Sequence, residues 1–180
     1  MEDAPLEKQK KATVSSLKEE SFSKEQNEKI LNYNRSLRTI DQTYASVQPL
    51  QDVLVRVFLI EPEVTESGFI VPHKEILPVP TNLGVGQYAE AESPFPYSKK
   101  AIVISVPQDF TKLKQGDIVY LSGNPVEAKI IGSAQNAYFK VKNEFFMSDT
   151  IKNTPLDINS PHYGYLMVSP YDIKAKLPNE

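Results

Sequence analysis

The chain has 180 residues, of which 40% are hydrophobic and 24% are charged, and its formal net charge is -3 at pH 7. A chain of this length can bury one sizeable core and still carry an appendage. The mild acidity argues against a nucleic-acid partner, because phosphate binding requires clustered Lys and Arg side chains. The absence of cysteine excludes disulfides, thiolate metal sites and cysteine nucleophiles. No apolar run approaches the roughly 18 residues of a membrane span, and the first residues lack the apolar segment of a secretory signal. We therefore expect a cytoplasmic protein without a membrane partner.

Residues 1–47 differ in composition from the rest, being rich in Lys, Glu, Ser, Asn and Gln. We interpret them as an N-terminal extension, partly helical or disordered, ahead of a body formed by residues 48–180. Five apolar residues of the extension follow a 3-4-3-4 spacing, which places them on one stripe of a helix: Ile30, Tyr33, Leu37, Ile40 and Tyr44. Ser23 and Gln26 have the spacing of a capping box at its start. Two interpretations stay open: the helix packs on its own domain, or it lies outside the body and docks onto a partner or another subunit.

From residue 48 onward the chain consists of short apolar runs separated by prolines. Residues 53–60 are mostly β-branched or aromatic, and Pro62 ends the run, which predicts a β-strand. The segment "SGFIV" is either a second short strand or a loop. Proline is excluded from helix interiors and central strands, so the prolines predict stiff loops between the strands. This pattern is typical of a small antiparallel β-barrel or sandwich. Further strands are predicted in "KKAIVISV", "LKQGDIVYL", "VEAKIIG", "AYFKV", "EFFMS", "YGYLMVS" and "DIKAKL".

The sequence offers no convincing catalytic or cofactor motif. Residues 84–89 fit the pattern G-x-G-x-x-A, but a dinucleotide site needs a strand before this pattern and a helix after it. His73 and His162 both stand beside prolines in loop-like segments, and no cysteine is present to complete a zinc site. No serine lies in a nucleophile-elbow pattern. We therefore expect no enzymatic activity, no cofactor and no metal.

An apolar triplet stands out just past the first predicted strand. In residues 63–75, "EVTESGFIVPHKE", Phe69, Ile70 and Val71 follow Gly68 and are flanked by charged residues. One interpretation is a buried edge strand of the body. The other is a set of exposed side chains that a partner protein binds.

Four pieces of the body stand in a characteristic order over residues 48–177. They are Pro49-Leu50 with Asp52 before the first strand, Thr65–Val71 behind it, Gly116–Val119 after a turn, and Asp172-Ile173 with Ala175 near the end. In this order they resemble the co-chaperonin family, the GroES-like ring lids of chaperonins. Because residues 104–115 leave little room for the roof hairpin of bacterial lids, the chain looks most like the phage-encoded members.

The resemblance implies a small GroES-like antiparallel β-barrel behind an N-terminal helical extension. It implies a co-chaperonin that caps a chaperonin ring through a mobile apolar loop and so assists protein folding in the cytoplasm, that of the host if the protein is phage-encoded. In the family, this loop is disordered until an apolar triplet docks between two helices of the chaperonin. The matching residues are Phe69, Ile70 and Val71, with Gly68 permitting the turn. The implied partner is the large subunit of a host or phage chaperonin, which turns over the ATP. The co-chaperonin itself would be a homo-oligomeric ring, whose copies bind together.

Two further features depart from the family. Residues 73–98 are longer than the usual link from the mobile loop to the next strand. In the last strand Lys174 and Lys176 alternate with apolar residues, which is typical of an edge strand with one solvated face. The alternative function is a phage virion structural or adaptor protein on the same fold. In that case the helix stripe would be the docking element and the loop an ordinary turn, and the location would be the virion.

Overall fold

A computed structural model describes residues 24–39, 43–71, 75–80, 88–93, 96–130, 137–146 and 157–178. In these ranges the chain forms a helix, α1, over residues 24–36, followed by strands and one turn of 3₁₀ helix at Pro170–Asp172. The strands are β1 (Val53–Leu59), β2 (Glu63–Val64), β3 (Ile70–Val71), β4 (Glu75–Pro80), β5 (Tyr88–Ser93), β6 (Tyr97–Ser105), β7 (Ile118–Leu121), β8 (Val126–Ile130), β9 (Ala137–Val141), β10 (Tyr165–Val168) and β11 (Ile173–Leu177).

Five of these strands form one antiparallel sheet in the order β10-β1-β6-β7-β11, and β2–β3, β4–β5 and β8–β9 are separate hairpins. The prediction of a mainly β protein is confirmed. The described strands do not close into the predicted barrel, because the end strands β10 and β11 do not pair with each other. The segment after β9 lies along the outer edge of β10 instead. There the Met167 amide donates to the Asn143 carbonyl (2.8 Å) and the Phe145 amide donates to the Tyr165 carbonyl (3.1 Å). Of the predicted strand "EFFMS", residues 144–146 are described, and they form this edge contact with β10 instead of a strand.

Strand β1 lies inside the sheet, and all seven of its residues are buried. Successive side chains of a strand point to opposite faces, so the burial of every residue means that both faces of β1 are covered. Eight apolar residues of the predicted strands lie in this core. All of them are at most 7% exposed: Val53, Val55, Val57, Ile102, Ile104, Ile118, Leu166 and Val168.

The hairpin β4–β5 lies in a proline-rich stretch that the sequence predicts as loop. Glu75–Pro80 pairs in antiparallel register with Tyr88–Ser93. Its two prolines, Pro78 and Pro80, are two residues apart, and residues two apart direct their backbone nitrogens to the same edge of a strand. Two prolines at this spacing fit a two-stranded hairpin, because both of their nitrogens, which carry no hydrogen, can face the unpaired edge of β4. Proline is tolerated in such a ribbon because only one edge of the strand is bonded.

Helix α1 packs against the sheet of its own chain. Four of the five predicted stripe residues belong to the same core as β1 and are at most 7% exposed: Ile30, Tyr33, Leu37 and Tyr44. Ile40 lies outside the described residues, as does Ser23 of the predicted capping box. Of the two interpretations that the sequence leaves open, the helix outside the body is therefore not the one observed, and the stripe residues Leu37 and Tyr44 follow the helix, which ends at residue 36. The helix packs on its own domain, and these four side chains are covered by that domain rather than free for a partner.

Two buried polar side chains of α1 attach the helix to the backbone of β1. The Tyr33 hydroxyl donates to the Val57 carbonyl (2.9 Å). The Asn34 amide group donates to the Leu59 carbonyl (2.9 Å) and accepts from the Leu59 amide (2.9 Å). Asn34 thereby satisfies both backbone groups of a residue at the end of the strand, as a neighbouring strand would. A buried backbone group left without a partner is costly, so these bonds fix the helix at one position on the strand.

Gly164, immediately before β10, allows Tyr33 to approach. Its carbonyl accepts a hydrogen bond from the Val57 amide (2.9 Å), and its φ is +83°. A Cβ at this position would collide with the Tyr33 hydroxyl. Glycine is therefore required at residue 164 both for its backbone conformation and for the space that its missing side chain leaves.

We expect Gly164→Ala to lower the free energy of unfolding by about 2–4 kcal/mol, as the sum of left-handed strain and overpacking. The matched control is Gly123→Ala, because Gly123 also has a positive φ of +70° but has no atom within 4 Å of an added Cβ. The control should lose only about 1–2 kcal/mol from strain. Urea unfolding of both variants measures the difference. Equal losses would show that Tyr33 does not depend on the space at Gly164.

Strand β11 is tied to β7 by an ion pair as well as by backbone pairing. Asp117, just before β7, is 1% exposed, and its Oδ2 accepts from the Lys114 amide (2.9 Å). Its Oδ1 lies 3.2 Å from the Nζ atom of Lys176 in β11. A buried carboxylate is costly without a charged or hydrogen-bonding partner. The lysine that the sequence presents as a solvated edge residue therefore neutralises a buried charge.

Removing this ammonium should destabilise the edge of the sheet. We expect Lys176→Met to lower the free energy of unfolding by about 1–3 kcal/mol, because Oδ1 of Asp117 is left buried without a partner. Lys174→Met, on the same strand and also exposed, should change it by less than about 0.5 kcal/mol. Thermal or urea unfolding compares the two variants. If both variants have the stability of the parent chain, the ion pair does not hold β11.

Candidate functional site

Strands β2 and β3 form a hairpin over residues 63–71, which we call the apolar hairpin. The Thr65 amide donates to the Phe69 carbonyl (2.9 Å), and the Gly68 amide donates to the Thr65 carbonyl (2.8 Å). The Thr65 hydroxyl accepts a further bond from the Phe69 amide (3.0 Å). Gly68 has a φ of +83°, which glycine adopts at little cost. A three-residue loop that ends in a left-handed glycine is a common hairpin connection, so Gly68 permits the turn as the sequence indicates.

The apolar side chains of this hairpin are largely solvent-exposed. Val64 is 61% exposed, Phe69 is 66% exposed and Val71 is 47% exposed, whereas Ile70 is half-buried. Phe69 and Val71 are two residues apart and therefore share one face of the hairpin. Ile70 lies on the other face, opposite Val64. The predicted triplet is thus brought together at one place, with apolar groups on both faces.

The base of the apolar hairpin is held where β1 ends. The Ile60 amide donates to the Pro96 carbonyl (2.6 Å), and the Asn34 amide group donates to Oε1 of Glu61 (3.1 Å). In the described part of the chain, β2 and β3 pair only with each other. The hairpin therefore projects from a fixed base and is not an edge strand of the five-stranded sheet. Its mobility in the free protein stays a prediction.

The predicted docking stripe is at a different place from the apolar hairpin. Its described members lie in the core beneath α1. Asn34 is the residue of α1 that joins the two regions, since it bonds both to the end of β1 and to the base of the hairpin. The described stripe residues hold α1 on the core, and Asn34, which is not one of them, connects α1 to the base of the hairpin.

The residues considered for catalysis or metal binding do not assemble into a reactive site in the described ranges. Nδ1 of His162 lies 2.5 Å from the Tyr44 hydroxyl, and His73 lies outside the described residues. Of the G-x-G-x-x-A segment, only the last two residues are described, where β5 begins. The described ranges contain no group of three or more His, Cys, Asp and Glu residues able to hold a metal ion. None of their helices has both the length and the apolar character needed to cross a membrane.

The burial of Arg56 is not predicted by the sequence analysis. Arg56 interrupts the apolar run of β1 and is 8% exposed. Its Nε donates to the Tyr163 carbonyl (2.8 Å), and its guanidinium carbon lies 5.1 Å from the ring centroid of Tyr33 and 4.7 Å from that of Tyr165. An arginine inside a strand whose other six residues are apolar was the available signal, since arginine is almost never buried without a partner.

Comparisons with protein-family models, with curated proteins and with solved structures find no match to this chain. Its function must therefore be inferred from the geometry of its own residues.

Proposed function

We propose that the protein is a co-chaperonin on a GroES-like fold, which caps a chaperonin ring through Gly68, Phe69, Ile70 and Val71 and catalyses no reaction itself. The observation that carries the proposal is the exposure of large apolar side chains on a hairpin that stands apart from the main sheet. Together with the order of sequence pieces that resembles the family, this feature favours a protein-binding role.

The exposure of these side chains has an energetic consequence. Each large apolar side chain left in water forgoes roughly 1.5–3 kcal/mol of burial free energy. The chain nevertheless buries β1 completely, so it has a core in which apolar residues are covered. Apolar side chains on a projecting hairpin are best explained by a partner that covers them. Two helices with an apolar groove between them would accept such a hairpin.

A ring of copies is part of the proposal. One hairpin offers few side chains, so a single contact is expected to be weak. When several copies are joined, each further contact forms at high effective concentration, and the whole assembly binds far more tightly than one copy. In the described ranges, the outer edge of β11 pairs with no strand and its middle residues are exposed, so its backbone groups are available to a neighbouring subunit.

The virion adaptor that docks through α1 has less support. Its proposed contact residues in α1, Ile30 and Tyr33, are covered by the sheet of the same chain. Docking through them would require α1 to leave the core and would break the bonds of Tyr33 and Asn34 to β1.

The experiment compares Ile70→Ser and Phe69→Ser with Leu50→Ser. Leu50 is 88% exposed and lies outside the apolar hairpin, so its replacement removes a similar apolar side chain from another surface. With a purified bacterial chaperonin and ATP, we expect the parent chain and Leu50→Ser to co-sediment with the chaperonin. Both hairpin variants should bind at least tenfold more weakly, because every copy in the ring loses the same anchor. Their thermal stability should stay close to that of the parent chain.

Unchanged binding by both hairpin variants would contradict the proposal, as would a parent chain that does not bind the chaperonin at all. A large loss of stability in Phe69→Ser would show that the hairpin packs as part of the core.

A further inference from the structure

A cleft lies between α1 and the turn that precedes β10. It has a volume of about 310 Å³, and Arg56 and Tyr33 line it together with Lys29 and Asn32 of α1 and Asn159 and Ser160 of the turn. Arg56 reaches this cleft from β1, where it is 8% exposed. The cleft thus places one buried cation among side chains that can donate hydrogen bonds.

The guanidinium of Arg56 is only partly satisfied by the protein. A guanidinium has five N–H donors, and the Nε donor is used by the Tyr163 carbonyl. The rings of Tyr33 and Tyr165 add cation–π contacts. In the described part of the chain, no carboxylate forms an ion pair with Arg56. The guanidinium also makes a side-chain hydrogen bond with the Tyr33 hydroxyl, and its remaining N–H donors can bind the oxygens of one anion.

The surrounding tyrosines do not supply the missing negative charge. Burial raises the pKa of the Tyr33 hydroxyl and that of the Tyr165 hydroxyl above their ordinary values, although the charge of Arg56 opposes the shift. Both rings therefore stay neutral at physiological pH. Both rings lie close to the guanidinium, and neither they nor a described carboxylate supplies a counter-ion.

A buried arginine with no carboxylate partner among the described residues is a poor choice for stability alone. The desolvation of a charged group costs several kcal/mol, and replacing buried charges by apolar residues of similar size is often neutral or stabilising. Five of the other six residues of β1 are Val or Leu and the sixth is Phe, so an apolar residue at position 56 would suit the strand. The charge at this position therefore indicates a ligand.

We propose that this cleft binds an oxyanion, a phosphate or carboxylate group of a ligand, with Arg56 as its principal cation. Lys29 stands at the cleft with a side chain that is 44% exposed, 2.9 Å from Glu25, and reorients from that exposed pair toward the bound anion. The site is independent of the apolar hairpin and of the proposed chaperonin contact.

The first test is the thermal unfolding of the full chain in inorganic phosphate, in acetate and in chloride at one ionic strength. Phosphate or acetate at about five times its dissociation constant should raise the Tm by about 2–4 °C relative to chloride. The salt that gives the larger rise distinguishes a phosphate site from a carboxylate site. Equal Tm values in all three salts, up to molar concentration, would overturn the proposal.

The second test uses Arg56→Met, with Arg35→Met as the control on an exposed arginine of α1. We expect Arg56→Met to keep or increase the Tm measured in chloride and to lose the rise caused by the oxyanion. The control should retain the rise in full. An Arg56→Met chain that retains the rise would contradict the assignment of Arg56.

If Arg56→Met does not fold, Lys29→Met serves as the second variant, because Lys29 is partly exposed and its loss leaves the core intact. It should weaken oxyanion binding by about threefold to tenfold without changing the Tm in chloride. A Lys29→Met chain that binds the oxyanion as the parent does, combined with an Arg56→Met chain that cannot fold, would assign Arg56 a structural role only.

Discussion

The pairing of the Asn34 side chain with the backbone of Leu59 is the interaction on which the rest of the structure depends. The amide group of Asn34 both donates to and accepts from Leu59, at 2.9 Å in each case, and it also reaches Glu61 at the base of the apolar hairpin. One side chain therefore determines where α1 sits, completes the bonding of β1 at its end and anchors the segment that leaves the sheet. Because α1 also forms one wall of the cleft above Arg56, both candidate sites inherit their geometry from this contact.

The two candidate sites depart in opposite ways from the usual pattern of buried apolar and exposed charged side chains. The apolar hairpin exposes Phe69 and Val71, although the chain has a core that covers other apolar residues. The cleft buries the charge of Arg56, although an apolar residue would suit the strand. Each departure lowers stability locally, and natural proteins concentrate such departures where they bind other molecules. Arg56 lies before Leu59, the β1 residue that Asn34 binds, and the apolar hairpin begins after residue 60. A single well-packed strand and its helix therefore support both sites.

The sequence predicts those features that are determined locally. The run of β-branched and aromatic residues before Pro62 predicts β1, and the resemblance to the family implies the turn at Gly68. The sequence does not predict the hairpin β4–β5, because prolines such as Pro78 and Pro80 are typical of loops, whereas a ribbon bonded on one edge tolerates them. Barrel closure is not predictable in this way, because it depends on which distant segment occupies the outer edge of β10.

The helical stripe shows that α1 has one apolar face but not what covers it. Asn34, a polar residue directly beside Tyr33, is the clue that this face meets a backbone inside the protein.

Native-state hydrogen exchange of the full chain, followed amide by amide, tests most directly whether α1 is part of the core. If it is, the amide of Leu37, bonded to the Tyr33 carbonyl, and the amide of Leu59, bonded to Asn34, exchange only by the global unfolding that exposes Val57 in β1. Their free energies of opening should then agree with that of Val57 within about 1 kcal/mol, since elements of one cooperative unit open together. Opening of Leu37 and Leu59 at a much lower free energy, while Val57 stays protected, would show that the helix detaches by itself and does not hold the two sites as part of the core.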